Sequence, residues 1–273
     1  MDDEFCEEMR RVGNLSLSIS LEGFEEVNDM RRGEGVFDKV MAAMDRLKKY
    51  GLIFGTSICY TRKNIETVTS DEFLDMIIGK GCRFTWYFHY MPVGNDAAPD
   101  LLPTKEQREY MYHRVREIRG ATGGKPIYAM DFQNDGEFVG GCIAGGRNYC
   151  HINANGDVEP CVFIHYSSAN IREVTLLEAL KQPLFMAYRD RQPFNSNHLR
   201  PCPMLENPEI LQEMIKETGA KSTDLQSPES AEHLCSKCKA YACEWKKTAD
   251  QLWKEHPHQQ KGYTNYKKRV EKQ

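Results

Sequence analysis

Between residues 14 and 132, short apolar runs alternate with longer amphipathic stretches, and no other feature of the sequence limits the fold as strongly. NLSLSIS (14–20) puts Leu15, Leu17 and Ile19 on one face, which predicts a strand. GVFDKVMAAMDRLKKYG (35–51) spaces Val36, Val40, Met44 and Leu47 for a helix, with Lys48 and Lys49 in the last turn and Gly51 as its stop. LIFGTSICY (52–60) is a second strand, and SDEFLDMIIGKG (70–81) is a second helix with Ser70 as N-cap. FTWYFHYM (84–91) is an aromatic third strand ended by Pro92. TKEQREYMYHRVREIRG (104–120) is a third helix opening on a Thr104–Gln107 capping box, and PIYAMDF (126–132) is a fourth strand.

That order predicts an α/β fold with a mostly parallel sheet, either open or rolled into a barrel. Ligands of such sheets gather at the C-terminal strand ends, which here present Ser18, Ser20, Thr56, Ser57, His89 and Asp131. Each of these side chains can equally be a satisfied polar group with no ligand.

Near residue 133 the long helices give way to glycine and turn residues, so residues 1–135 read as one domain and 136–273 as a second, smaller one. The second carries a turn signal (NANGD), short helices over VTLLEALKQ and PLFMAYRDRQ, a longer helix over 209–219, a polar linker (AKSTDLQSPES) and a final helical segment. Hydrophobic content of 40% and a net charge of −4 describe a soluble globular chain and argue against broad nucleic-acid binding. The acidic start MDDEFCEEMRR has no apolar h-region, and no run reaches the ~18 apolar residues of a membrane span. The expected location is the cytoplasm.

In a reducing compartment, ten cysteines call for a role other than disulfides. Cys59 and Cys82 read as small buried hydrophobes, and Cys6, in a polar end expected to fray, is given no role. The other seven follow residue 140. Cys235-x2-Cys238-x4-Cys243 has metal-ligand spacing, although on a helix Cys243 needs a bend to join the other two. The second set is Cys142, Cys161 and Cys202. A turn at Gly156 lets the returning strand present Cys161 towards Cys142, and Pro201 and Pro203 restrict the backbone at Cys202. Glycines 140, 141, 145 and 146 would let backbone amides approach a metal–sulfur centre. Cys150 reads as a packed thiol and His151 as a hydrogen-bonded strand residue. Spacing alone leaves zinc and iron–sulfur both open.

SLEGFEEVNDMRRG (20–33), FHYMPVG (88–94), GGCIAGGRNYCHINANGDVEPCVF (140–163), NIREVTLLEAL and PCPM together resemble the C-terminal portion of radical S-adenosylmethionine (SAM) proteins with a SPASM/twitch-type auxiliary domain. The resemblance implies the C-terminal half of a (β/α)6 partial TIM barrel, then a small α+β SPASM-like domain with a β-hairpin and C-terminal helices. It implies a radical SAM enzyme: reductive SAM cleavage gives a 5′-deoxyadenosyl radical, and auxiliary [4Fe–4S] clusters support modification of a peptide or protein substrate. By the same resemblance Cys142, Cys161 and Cys202 are cluster ligands, and Ser20, Arg31 and Arg32 lie in the region that contacts SAM. The sequence holds no C-x3-C-x2-C triplet for the SAM-binding cluster. The reading is therefore a fragment or split half, unable to cleave SAM alone and prone to self-association without a complementary N-terminal half. The alternative is a non-enzymatic zinc- or iron–sulfur-binding module. The aromatic strand Trp86–Tyr90 could also serve as a peptide platform, against the simpler expectation that its rings pack a barrel interior.

Overall fold

The computed structural model describes residues 1–120 and 123–255, and these form two compact units. The first comprises Met1–Tyr90 and Leu101–Phe132; the second comprises Met91–Asp100 and the chain from Gln133 on.

In the first unit the chain runs α1 (Asp3–Val12), β1 (Leu17–Ser20), α2 (Glu25–Arg32), α3 (Val36–Lys49), β2 (Phe54–Tyr60), α4 (Ile65–Val68), α5 (Asp71–Lys80), β3 (Phe84–His89), α6 (Lys105–Ile118) and β4 (Tyr128–Asp131). The strands form one parallel sheet in sequence order, with Ser20 opposite Ser57, Tyr60 opposite His89 and Tyr87 opposite Asp131. Burial alternates strictly along β3, as its pleat requires: Thr85, Tyr87 and His89 are buried, whereas Phe84, Trp86 and Phe88 are half-buried. The buried face of the sheet, with Phe54, Ile58, Tyr87 and Ala129, shares one core with Met44 and Leu47 of α3 and Leu74 and Ile77 of α5. Ser18, Ser20, Ser57, Cys59, Trp86 and Phe88 occupy the opposite face.

Helix starts follow the sequence closely. Ser70 Oγ accepts from the Phe73 amide at 3.2 Å, and Thr104 and Gln107 form the reciprocal capping box. The N-terminal end differs from expectation. It is not frayed but an amphipathic helix, capped by Asp2 on the Phe5 amide, whose Cys6 and Met9 enter the core. Burying that apolar stripe offsets the cost of ordering so short a helix.

The second unit contains α7 (Gly136–Val139), β5 (His151–Ile152), β6 (Val158–Glu159), β7 (Tyr166–Ser167), α8 (Leu176–Ala179), α9 (Pro183–Arg191), α10 (Pro208–Thr218), β8 (Lys221–Ser222) and α11 (Ala231–Glu255). β5 and β6 form the antiparallel hairpin foreseen at NANGD, with Gly156 at φ +93°. Asn153 Oδ1 closes the turn by accepting from the Asn155 and Asp157 amides. The supposed polar linker is structured. Lys221–Ser222 pairs with β7, and the Glu229 carboxylate takes Lys237 Nζ at 2.5 Å and the Gly94 amide at 2.9 Å. α10 packs against both α9 and α11, and Trp245 of α11 is fully buried with its indole N–H on the Leu199 carbonyl. No helix among the described residues is long and apolar enough to cross a membrane.

Candidate functional site

Each unit gathers a set of polar or thiol groups, and the sequence-predicted residues divide between them.

In the first unit the C-terminal ends of β2, β3 and β4 bring Tyr60, His89 and Asp131 together. The Tyr60 hydroxyl donates to Asp131 at 3.3 Å, and its ring meets the His89 imidazole edge-on. His89 Nδ1 lies 2.6 Å from the Tyr90 carbonyl oxygen. Burial, reinforced by the Arg108 cation, pushes the imidazole down to about 3, so it is neutral near pH 7. Thr56 is buried and satisfied by Thr85 at 2.9 Å. At this edge His89, Asp131 and Thr56 are thus buried groups, each with a protein partner: Tyr90, Tyr60 and Thr85 respectively.

Arg31 and Arg32 meet around a residue that sequence reasoning did not single out, while Ser20 ends β1 opposite Ser57. Glu22, just beyond β1, is 2% exposed and binds Arg32 Nη2 at 2.5 Å, Arg31 Nη1 at 2.8 Å and the Cys59 amide at 3.2 Å. Arg31 and Arg32 therefore lie in α2 and are ion-paired, not free in a solvated loop. Asp29 fixes the following turn by accepting from the Gly35 and Phe37 amides at 2.6 and 2.8 Å. The glutamate of SLEG and the aspartate of DMRRG were the available signals for this network. Because Arg31 remains half-exposed, the pairing is worth less than a fully buried one. Glu22→Gln is expected to cost about 1–3 kcal/mol of unfolding free energy, measured by denaturant titration. A loss below about 0.5 kcal/mol would show that the arginines stay in place without it.

The thiol site lies in the second unit. At Cys142 and Cys202 a backbone amide is placed on the sulfur from two or three residues downstream. Ala144 N–H donates to Cys142 Sγ at 3.5 Å and Leu205 N–H donates to Cys202 Sγ at 3.4 Å, while the Phe163 amide favours the Cys161 thiolate. The Cys142 loop is braced by Arg147 Nη1 on its carbonyl at 2.7 Å and by Gln192 Nε2 at 3.2 Å. Cys202 is held by more than its prolines: Glu206 Oε2 accepts its amide at 2.7 Å, and Asn207 Nδ2 donates to its carbonyl at 3.0 Å.

The glycines do something other than expected. The Gly145 and Gly146 amides are spent on the Pro160 and Tyr149 carbonyls, so the amide on Cys142 comes from Ala144. What Gly145 provides is room, since a Cβ there would fall 2.4 Å from the Tyr188 ring.

Burial pushes the Cys142 thiol up to about 11 and Cys161 up to about 12, and raises Cys202 further; the downstream amides oppose this in each case. A metal cation reverses that burial effect, because a coordinated thiol is deprotonated. The Cys142, Cys161 and Cys235 charges all act on the Tyr188 phenol, which places α11's first cysteine in the same neighbourhood. Cys235 and Cys238 are buried one turn apart on α11. α11 runs unbroken through residue 243, so no bend brings Cys243 to them, and it is exposed. Among the described residues no three Cys, His, Asp or Glu side chains form a ready-made single-ion group. Cys150 packs beside the Val158, Ala179 and Phe185 cluster, in keeping with its reading as a packed thiol.

Residues 142–204, which contain Cys142, Cys161 and Cys202, match the SPASM iron–sulfur cluster-binding domain. The mycofactocin maturase MftC of Mycolicibacterium smegmatis is 31% identical over 156 residues, covering 55% of this chain and 39% of that protein. The AdoMet-dependent heme synthase of Oleidesulfovibrio alaskensis is 23% identical over 214 residues, covering 69% of this chain and 54% of that protein. The chain carries a SPASM iron–sulfur cluster-binding domain. Radical SAM/SPASM proteins use SAM and iron–sulfur clusters as cofactors, and the amide-supported cysteines suit a cluster by the chemistry of their donor set. In fold, the chain resembles native anSMEcpe with bound AdoMet and Cp18Cys peptide at a TM-score of 0.53 and 13% identity, covering 93% of this chain and 73% of that one. The chain spans about half the length, or less, of the curated relatives it matches.

Proposed function

We propose that this chain is the auxiliary-cluster-bearing part of a radical SAM enzyme that modifies a peptide or protein. In this reading Cys142, Cys161 and Cys202 hold a [4Fe–4S] cluster, and Cys235 and Cys238 supply ligands from α11. Cys243, exposed on the unbroken helix, falls outside this ligand set. The observation that carries the proposal is the N–H···S arrangement at Cys142 and Cys202, inside the segment that matches the SPASM domain, since amide dipoles aimed at sulfur stabilise cluster-bound thiolates. The cluster supplies electron transfer or substrate contact; the chain's part is to orient the sulfurs, exclude water and set their electrostatics.

The same reading makes the parallel sheet part of a (β/α)6 barrel, places residues 1–135 and 136–273 in separate domains, and assigns SAM contacts to Ser20, Arg31 and Arg32. Glu22 then serves to position the two arginines. A peptide substrate is supported by the similarity to mycofactocin maturase MftC. The 273 residues hold no C-x3-C-x2-C triplet, so this polypeptide by itself is expected not to cleave SAM; a complementary segment would supply those ligands.

Anaerobic reconstitution with iron and sulfide tests the proposal. The expected product is a brown protein carrying both elements, with a sulfur-to-iron charge-transfer band. A colourless protein with stoichiometric zinc would establish the alternative of a zinc-binding module.

A further inference from the structure

Tyr188, in α9, is a group at the thiol site that the ligand assignment leaves unused. Its side chain is fully buried, and its hydroxyl has no hydrogen-bond partner among the described residues. Buried tyrosine hydroxyls nearly always find one, and leaving one unpaired costs about 1–3 kcal/mol. A phenylalanine would fill the same space without that cost.

The ring cannot swing away to find a partner. One side lies against Gly145, whose φ of +67° and missing Cβ make the close approach possible. Phe194 meets it edge-on, with centroids 5.2 Å apart and planes at 89°. Gly145 lies three residues after Cys142 and its amide bonds to the carbonyl of Pro160, the residue before Cys161, so the ring packs beside the loops that carry these two sulfurs; Cys142, Cys161, Cys202 and Cys235 all lie within electrostatic range of the phenol.

We propose that the Tyr188 hydroxyl donates a hydrogen bond to a sulfur of the auxiliary cluster, a cysteine thiolate or a bridging sulfide, and so raises the cluster's reduction potential. The inference rests on the cluster assignment above. Reduction adds negative charge to the cluster, so an O–H dipole pointed at sulfur stabilises the reduced form more than the oxidised one. Tyr188 is a positioning and tuning residue, not a ligand. The unpartnered hydroxyl of the metal-free protein is then the donor that the cluster satisfies. Its location, surrounded by low-dielectric side chains, strengthens the bond relative to one in water.

The test compares the wild-type chain with Tyr188→Phe after reconstitution with iron and sulfide, using a redox titration followed by electron paramagnetic resonance. Iron and sulfide content is expected to match. At the wild-type midpoint the reduced-to-oxidised ratio of the variant is expected to fall roughly fivefold, the weight of one hydrogen bond. Denaturant unfolding of the metal-free proteins supplies a second readout, in which Tyr188→Phe is expected to be at least as stable as wild type. A fully loaded variant with an unchanged midpoint overturns the inference and leaves the cluster assignment standing, as does a clear loss of metal-free stability, which would reveal a protein partner for the hydroxyl. Failure of both proteins to take up iron and sulfide overturns the assignment and the inference together.

Discussion

Cys202→Ala protein is expected to emerge from anaerobic reconstitution with most of its iron, sulfide and visible absorbance gone. Replacing a residue that only orients a ligand lowers metal affinity roughly 10–100-fold, and removing the ligand itself is expected to do at least that. The reason lies in how Cys202 is held. Its amide is fixed by Glu206, its carbonyl by Asn207 and its sulfur by the Leu205 amide. The first two use only backbone atoms, so the alanine variant keeps the turn. Its metal-free stability should change by no more than about 1 kcal/mol, the scale of a small truncation. Cys142→Ala and Cys161→Ala should behave alike. Cys243→Ala is the internal control: its thiol is exposed and its removal should leave iron content unchanged. A Cys202→Ala protein that keeps full iron and sulfide would remove it from the ligand set.

The burial of these thiols adds a pH dependence to loading. Cys142 and Cys161 are raised to about 11 and about 12 and are protonated at neutral pH, so each must release its proton to bind. Apparent affinity should therefore rise with pH across the neutral range.

The parts of the structure that sequence revealed are those set by local patterns. The strands at Leu17–Ser20, Phe54–Tyr60 and Phe84–His89 and the capped helices at Asp71–Lys80 and Lys105–Ile118 follow from periodicity and end residues that act over a few positions. α1 was hidden because its short apolar stripe, Cys6 and Met9, gains its stability from tertiary burial. The hairpin at Asn153–Asp157 was legible because its turn chemistry is local. Tyr188 was not. In FMAYRDR it is one more apolar position of a short helix, and its significance lies in a hydroxyl left unpaired by residues far away in sequence. The glycines around Cys142 show the same limit. Their conformational freedom was readable, but which amide would reach the sulfur depended on Pro160 and Tyr149 claiming the others.

The second large effect belongs to the first unit: acid is expected to destabilise it through His89. Unfolded, the imidazole titrates at its ordinary value of 6.5; folded, burial and the Arg108 cation hold it down to about 3. Between those limits the unfolded chain binds a proton that the native one does not, so native stability falls as pH falls. The stabilising contribution is whole above the unfolded value and is lost progressively towards the folded one, at up to about 1.4 kcal/mol per pH unit. His89→Gln cannot take up that proton in either state. Whatever the substitution costs near neutrality, the variant's deficit should therefore shrink by about 2–3 kcal/mol on moving from about pH 7 to about pH 4.5. Denaturant midpoints for both proteins across that range measure it, and the comparison uses the slope, not the absolute stability. Carboxylates such as Asp131 titrate in both proteins and cancel to the extent that the substitution leaves them undisturbed. Parallel pH profiles would mean that the native protein admits the proton, and that the Tyr60–His89–Asp131 edge is open to water rather than sealed.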